Sequence, residues 1–285
     1  MNNISNCRFC KSSKIEVIRP IASHCFDNTY QLYHCNNCLS KFFDPNEHSV
    51  DLDSMYQELS TAEGRFKADV VFTKNKVWAK QVKIIQNELG KIPNSIIDVG
   101  CRSGDFLMHF NKKVQKEGVE LSKHSAEIAE SRGIKVHQDF AENIKFDKTY
   151  EVVSCYALLE HLEHPLILIE NLKKITSNNG LLVIAIPLHE CLKQQVLSFF
   201  GIQWHMYSPP EHLNFFSTKY FNNLIEKEGE FKLINKTITS GGLINPFRKV
   251  PVLKRAFSLF MTLWDSSPLN KLPIFDHMYL YYRKN

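Results

Sequence analysis

A short β-branched run that stops in a glycine turn constrains this chain more tightly than any other feature. Residues 95–106 read Ser-Ile-Ile-Asp-Val-Gly-Cys-Arg-Ser-Gly-Asp-Phe. Ile96, Ile97 and Val99, bounded by Pro93 and then by glycines, predict a buried strand, and Phe106, Leu107, Phe110 and Val114 fall on one face of a following helix. A strand that ends in such a turn leaves the first N–H groups of the helix without partners, aimed at whatever lies over the strand end. The turn is therefore a ligand cradle. A dinucleotide fingerprint needs glycines at 100, 102 and 105, and the chain has Gly100, Arg102 and Asp105, so that match is weak.

The remaining residues decide what surrounds the cradle. A length of 285 residues accommodates one large α/β domain and a small appendage with a full core. The formal charge of +5, from 35 basic and 30 acidic residues, is mild, and no Lys/Arg block marks a nucleic-acid surface. The N-terminus has no charged-then-apolar leader pattern, and no apolar run approaches the roughly 18 residues of a spanning helix. These features predict a cytoplasmic protein, in which eight cysteines point to a metal or to buried thiols before disulfides.

Cys7-Arg-Phe-Cys10 and Cys35-Asn-Asn-Cys38 are two Cys-x-x-Cys pairs with 24 residues between them, in a stretch too short to build its own core. Two such pairs fold as knuckles that present four thiolates tetrahedrally to zinc, which then supplies most of the folding energy of a small ribbon. Four thiolates close the coordination shell, so Zn2+ here is structural. Cys25, beside His24, reads as a hairpin thiol or a spare ligand, and Lys14 to Ile18 with Thr29 to His34 as ribbon strands. The ribbon is expected over residues 1–45. A linker and leading helix (Trp78, Val82, Ile85, Leu89) fill residues 46–92, closed by Gly90 and Pro93.

Residues 93–285 read as a ligand-binding α/β domain. Gly118 to Ser122 predicts a second strand ending in Glu120, 22 residues past Asp98, where a βαβ unit places a carboxylate that accepts from both ribose hydroxyls of a nucleoside. Its neighbour Leu121 lies at the same strand end. A helix follows from Ser125 to Ser131, then a third strand from Ile134 with Asp139 and Phe140 beyond it. Tyr150 onward is a fourth strand, with Cys155 at the end where open α/β sheets hold ligands. His161 and His164 in the loop after it invite a metal reading, although both have Glu neighbours in a helix-entry loop. Pro165 starts a helix (Leu168, Leu172, Ile175), Asn178-Asn179-Gly180 turns it, and Leu181 to Ile186 is a fifth, wholly apolar strand. Phe231 to Thr237 and Met278 to Arg283 complete a doubly wound, mostly parallel seven-stranded sheet.

Asp98-Val-Gly-Cys-Arg-Ser-Gly104 resembles motif I of the class I S-adenosylmethionine (SAM) methyltransferases, Asp-x-Gly-x-Gly-x-Gly, with Arg102 in place of the middle glycine. Leu159-Glu-His161 followed by Pro165 resembles motif IV of that family. Pro210-Glu-His-Leu-Asn-Phe-Phe-Ser217 is similar to a recurring stretch of it, and the ribbon with its linker looks like the N-terminal part of many bacterial methyltransferases of sugars and other small metabolites. The resemblance implies an antiparallel last strand and SAM held by Asp98, Gly100, Cys101, Gly104, Glu120, Leu121 and Cys155. It also implies Asp139 and Phe140 at the adenine, and an active-site Glu211-His212 pair, as in related sugar C-methyltransferases. His212 is then the first candidate for general base, with Glu211 to orient it and His161 lining the pocket.

Two segments exceed what connections need, about 188–216 and 241–273. The first, rich in Phe, Trp, Tyr and His, suits a lid over a polar organic substrate. The second leads from basic residues at 245–255 into an apolar helix ending at Trp264, which covers the pocket or a dimer face or touches a membrane surface. The expected activity is SAM-dependent methylation of a small molecule, with a sugar or sugar nucleotide of surface polysaccharide as acceptor by analogy alone. Two alternatives are a zinc-containing scaffold with a degenerate SAM site and an RNA methyltransferase. The latter needs clustered basic residues on the ribbon, where only Lys11, Lys14, Lys41, Arg8 and Arg19 occur.

Overall fold

The computed structural model describes residues 4–23, 26–48, 68–143, 145–239, 259–260, 263–264 and 267–285, with the side chains of 68–76 left aside. His24, Cys25, the linker at 49–67 and the basic segment 245–255 lie outside the described residues.

The chain opens with β1 (Ile15–Ala22), β2 (Thr29–Cys35) and the short β3 (Lys41–Phe42), an antiparallel ribbon registered through Ile15↔Cys35 and Tyr33↔Phe42. Helix α1 (Ala68–Leu89) ends at Gly90, whose φ of +70° allows the left-handed turn that stops a helix. Strand β4 (Ser95–Val99) follows, then β5 (Gln115–Val119), α2 (Lys123–Ser131), β6 (Lys135–His137), β7 (Tyr150–Tyr156), α3 (Pro165–Ile175) and β8 (Thr176–Pro187). The last third contributes α4 (Leu192–Phe199), β9 (Asn214–Phe215), α5 (Thr218–Glu226), β10 (Phe231–Thr239) and β11 (His277–Lys284).

Seven strands form one sheet in the order β10-β11-β8-β7-β4-β5-β6. The β4, β5, β6, β7 and β8 ladders are parallel, and β11 runs antiparallel between β8 and β10. Successive strands leave β4 first toward β5 and then, from β7, to the other side, so the chain reverses its winding between β4 and β7. That switch point is where an open α/β sheet holds its ligand. Alternate residues of β4 face opposite layers: Ile97 and Val99 join α3 and α5 (Leu168, Leu172, Phe221, Ile225), whereas Ile96 joins α1 and the β4–β5 connection (Val82, Ile85, Phe106, Leu107).

Two local expectations are corrected. No α-helix follows β4: a single 3-10 turn, Leu107–His109, is followed by an extended Phe110 and a turn in which the Asn111 side chain accepts from Lys113 N at 2.9 Å. Phe106, Leu107, Phe110 and Val114 are nonetheless all buried. The difference is local: the chain turns extended at Phe110 (ψ 152°) and the Asn111 side chain holds the next turn, so no second helical turn forms. In addition, Asn178-Asn179-Gly180 does not separate helix from strand. It bulges out of β8, between the Tyr150↔Thr176 and Val152↔Leu181 pairs, with Asn179 at φ +60°.

The ribbon does not stand apart from the large domain. Strand β9 adds to its edge, with Lys41↔Phe215 and Phe42↔Asn214, giving a four-stranded sheet in the order β1-β2-β3-β9. Ser217 Oγ donates to Cys38 O at 2.6 Å, Ser217 N donates to Ser40 Oγ, and Arg8 donates to the carbonyls of Phe43 and Glu163. The aromatics of the first long segment pack on this seam, with Tyr207 5.1 Å from Trp204 and 5.0 Å from Phe215 between ring centres, and Trp204, Tyr207, Phe215 and Phe216 fully buried. No helix among the described residues is long and apolar enough to cross a membrane.

Candidate active site

The site is built from the C-terminal ends of β4, β5 and β7. Gly100 bends away from β4 at φ +82°, and a methyl group there would lie 3.1 Å from the Leu158 side chain, which packs over the turn. Gly104 at φ +77° is more constrained, since a Cβ would sit 2.2 Å from Ile134 Cδ1. Between them Arg102 adopts φ +50°, a left-handed conformation that costs an ordinary residue about 1–2 kcal/mol. Its N–H donates to Glu120 Oε2 at 2.9 Å, which offsets that cost. The arginine thus keeps the backbone shape that the absent glycine would supply.

Glu120 lies one residue past β5. Its other oxygen accepts from Ser122 N at 2.8 Å, and Ser122 Oγ in turn caps α2 by accepting from Ser125 N. A carboxylate has about four lone-pair positions, so two N–H donors leave it able to accept from two hydroxyls. Leu121 is half-buried beside it.

Asp98 is 4 % exposed and sits opposite Ser154 in the β4–β7 register, and the Ser154 hydroxyl donates to it at 2.7 Å. Burial pushes the Asp98 carboxyl up to about 7, against the pull of that hydroxyl and helped by the Glu120 charge. Ser154 carried no role in the sequence reading, and only the strand register identifies it. Asp139 accepts from Phe140 N and from Asn143 Nδ2, which fixes the loop after β6, and the Phe140 ring is exposed.

The two cysteines of the turn and of β7 point into the core. Cys101 Sγ packs against Gly118, where a Cβ would lie 2.3 Å away, and Cys155 is completely buried among the β4, β8 and α3 residues. Burial raises both thiols well above their ordinary range. Both are therefore thiols, and the Cys101 thiol donates to Arg102 O within the turn at 3.6 Å.

The loop after β7 and the segment before β9 converge over this turn. Glu160 O accepts from Leu213 N and Asn214 N, and Asn214 Nδ2 donates to Leu159 O and Leu162 O at 2.8 and 2.7 Å. These bonds bring His161 beside the adjacent pair Glu211-His212, 50 residues further along the chain. The His161 and His212 ring centres are 4.7 Å apart. His161 Nδ1 donates to Glu211 O at 2.7 Å and His212 Nδ1 to Met206 O at 2.9 Å. Burial, with the second imidazole nearby, lowers His161 to about 3, and burial lowers His212 despite the Glu211 charge. Both rings are neutral at pH 7. Glu160, quoted in the sequence only as the residue before His161, is 1 % exposed, and burial with the Glu211 charge pushes its carboxyl up to about 8. His164 is exposed and lies outside this group.

The four N-terminal cysteines form a second constellation. Cys7 and Cys38 sulfurs are 3.7 Å apart and those of Cys10 and Cys35 are 3.6 Å apart. Bonds of about 2.3 Å to a tetrahedral ion would set such edges at about 3.8 Å. All four sulfurs lie within 4.8 Å of one another and could hold a metal ion. Each knuckle closes alike, with Lys11 N on Cys7 O and Leu39 N on Cys35 O, and both of those residues at φ +61°.

Residues 72–234 match the family model described as "Methyltransferase domain". This chain belongs to that family and has the class I methyltransferase fold. Among curated proteins it is 30% identical over 120 residues to the uncharacterized protein MJ1123 of Methanocaldococcus jannaschii, an alignment covering 41% of this chain and 56% of that protein. Three solved structures share the fold. Magnesium protoporphyrin IX methyltransferase from Synechocystis, solved with S-adenosylhomocysteine (SAH), has a TM-score of 0.54 at 12% identity, over 81% of this chain and 94% of its own. The N-methyltransferase NodS of Bradyrhizobium japonicum, also with SAH, gives 0.53 at 9%, over 82% and 99%. A SAM-dependent methyltransferase of Thermotoga maritima, described as a possible histamine N-methyltransferase, gives 0.52 at 16%, over 82% and 99%.

Proposed function

We propose that this chain transfers the methyl group of SAM to a small polar acceptor, a sugar or sugar nucleotide of surface polysaccharide synthesis, and that Zn2+ on Cys7, Cys10, Cys35 and Cys38 is structural. The observation that carries the reading is the Glu120 carboxylate, tied by Arg102 N to the glycine turn while keeping lone pairs for two ribose hydroxyls. Gly100, Cys101 and Gly104 would line the cofactor's amino-acid end with backbone, Asp98 and Leu121 would flank it, and Asp139 with Phe140 would meet the adenine. Cys155 would support the floor beneath it.

SAM supplies an electrophilic methyl on a sulfonium, so the protein's work is alignment of the acceptor in line with the S–CH₃ bond and removal of one proton. His212 is neutral, with Nδ1 bonded to Met206 O, and its Nε2 lone pair can accept that proton. Glu211 lies against Ser208 at 3.5 Å and its charge favours the protonated ring. His161 helps to wall the acceptor space. The solved structures of the same fold are described as a magnesium protoporphyrin IX methyltransferase, an N-methyltransferase and a possible histamine N-methyltransferase, so the sugar rests on the ribbon and on the Glu211-His212 pair rather than on the fold.

Isothermal titration with SAH tests the cofactor. Saturable one-to-one heat is expected, and no heat at high micromolar SAH would favour a scaffold with a degenerate site. Metal analysis of protein purified without chelator is expected to give one zinc per chain, lost together with stability in a Cys35→Ser variant.

A further inference from the structure

We infer that Glu160, His161 and His212 form a mononuclear site for a divalent transition-metal ion, separate from the four-cysteine cluster and open toward the methyl acceptor. One carboxylate oxygen of Glu160 and one ring nitrogen of each of the two histidines lie within 4.8 Å of one another. An ion with bonds of about 2.1 Å holds tetrahedral ligands about 3.4 Å apart, so side-chain rotations that draw the donors in by about an ångström complete the site.

Three features distinguish this group from a chance cluster. Glu160 is 1 % exposed and its Oε2 has no hydrogen-bond partner, a costly state for a buried carboxyl oxygen in the absence of a cation. Each histidine is oriented by a backbone carbonyl on Nδ1, Glu211 O for His161 and Met206 O for His212. Carbonyl-anchored imidazoles are the usual outer arrangement of metal-binding histidines, because the anchored N–H fixes the tautomer that presents the other nitrogen. The Ala157 carbonyl also lies against the His161 ring, and the ring turns away from it to offer its lone pair to an ion. Finally, the segments that carry the ligands are locked to each other by the bonds of Glu160 O and Asn214 Nδ2, so the backbone under the site is fixed and only side chains move when an ion binds.

The donor set selects the ion. Two imidazoles and one carboxylate suit Mn2+, Fe2+, Co2+ or Zn2+, whereas an all-oxygen set would be needed for Ca2+ or Mg2+. Three protein ligands leave coordination positions open. On the methyltransferase reading, which this part of the inference requires, the open positions take an acceptor hydroxyl or vicinal diol. With the ion on His212 Nε2 that nitrogen no longer serves as general base: the ion acidifies the bound hydroxyl, whose proton is lost to water, and the O–CH₃ bond forms as the S–CH₃ bond of SAM breaks.

The test uses the full chain with zinc on its cysteines, titrated with Mn2+ and followed by the electron paramagnetic resonance signal of the free aquo ion, with SAH calorimetry on the same samples. The wild type is expected to bind one Mn2+ per chain. Glu160→Gln and, independently, His212→Gln should each weaken binding at least about tenfold, whereas His164→Gln on the same loop leaves it unchanged. SAH affinity reports that each variant is folded. Absence of Mn2+ binding in protein that binds SAH, or an equal loss in His164→Gln, overturns the ion site and leaves the methyltransferase reading standing. Mn2+ binding with the expected variant pattern but no SAH binding keeps the ion site and removes its link to methyl transfer.

Discussion

Replacing Ser217 by alanine tests whether the cysteine ribbon and the large domain fold as one body. The hydroxyl is fully buried, donates to Cys38 O at 2.6 Å and accepts from Tyr220 N at 3.2 Å as the N-cap of α5. Removing an N-cap costs about 1 kcal/mol. Leaving the buried Cys38 carbonyl without its donor costs about 2 kcal/mol more, and the two effects sum to about 3 kcal/mol. For a chain of this size each kcal/mol moves the melting midpoint by about 2 °C, so Ser217→Ala should melt about 6 °C below the wild type by circular dichroism with zinc present. Ser131→Ala removes an exposed hydroxyl bonded to Ile128 O and should shift the midpoint by less than about 1 °C. A Ser217→Ala shift as small as that of Ser131→Ala would show that the ribbon is merely tethered, and the reasoning about its docking would fail.

Two further outcomes follow from the same contacts. Gly104→Ala combines a left-handed φ of +77° with a Cβ 2.2 Å from Ile134 Cδ1; it should lose about 2–4 kcal/mol, read from the urea midpoint, and an unchanged midpoint would contradict the strain. Glu117 is buried, which alone would raise its carboxyl, yet Lys148, His137 and Tyr150 donate to it and hold it at about 2 instead of its ordinary 4.5. A depressed folded value means that the native state binds fewer protons. The stability is present above pH 4.5 and is lost as pH falls toward 2. With Lys148 half exposed, about 2 kcal/mol is expected, and Glu117→Gln should flatten the acid limb of the stability curve by that amount.

Much of this architecture is legible in the sequence because its signals are local. The Cys-x-x-Cys spacing, the β-branched runs around Val99 and Val183, and the acid 22 residues past Asp98 each report on a few neighbouring residues. The apolar spacing of Phe106, Leu107, Phe110 and Val114 reports burial correctly and conformation wrongly, because burial of these side chains is met by a 3-10 turn followed by extended backbone as well as by a helix. Long-range pairings carry no periodic signal. Nothing in the chain announces that Asn214-Phe215 will extend the ribbon sheet, that Ser154 will face Asp98, or that Glu160 will be brought beside His212. Arg102 stands where the motif has a glycine, and only the structure shows that it takes the left-handed backbone of one and bonds Glu120 through its N–H.

The most direct measurement compares SAH affinity in the wild type and in Glu120→Ala by calorimetry, with far-ultraviolet circular dichroism as the check on folding. Hydrogen bonds to a charged group contribute about 1.5–3 kcal/mol, which corresponds to a weakening of about 10- to 150-fold. A folded Glu120→Ala protein that binds SAH within about twofold of the wild type would mean that the carboxylate beside the Gly100 turn does not hold the nucleoside.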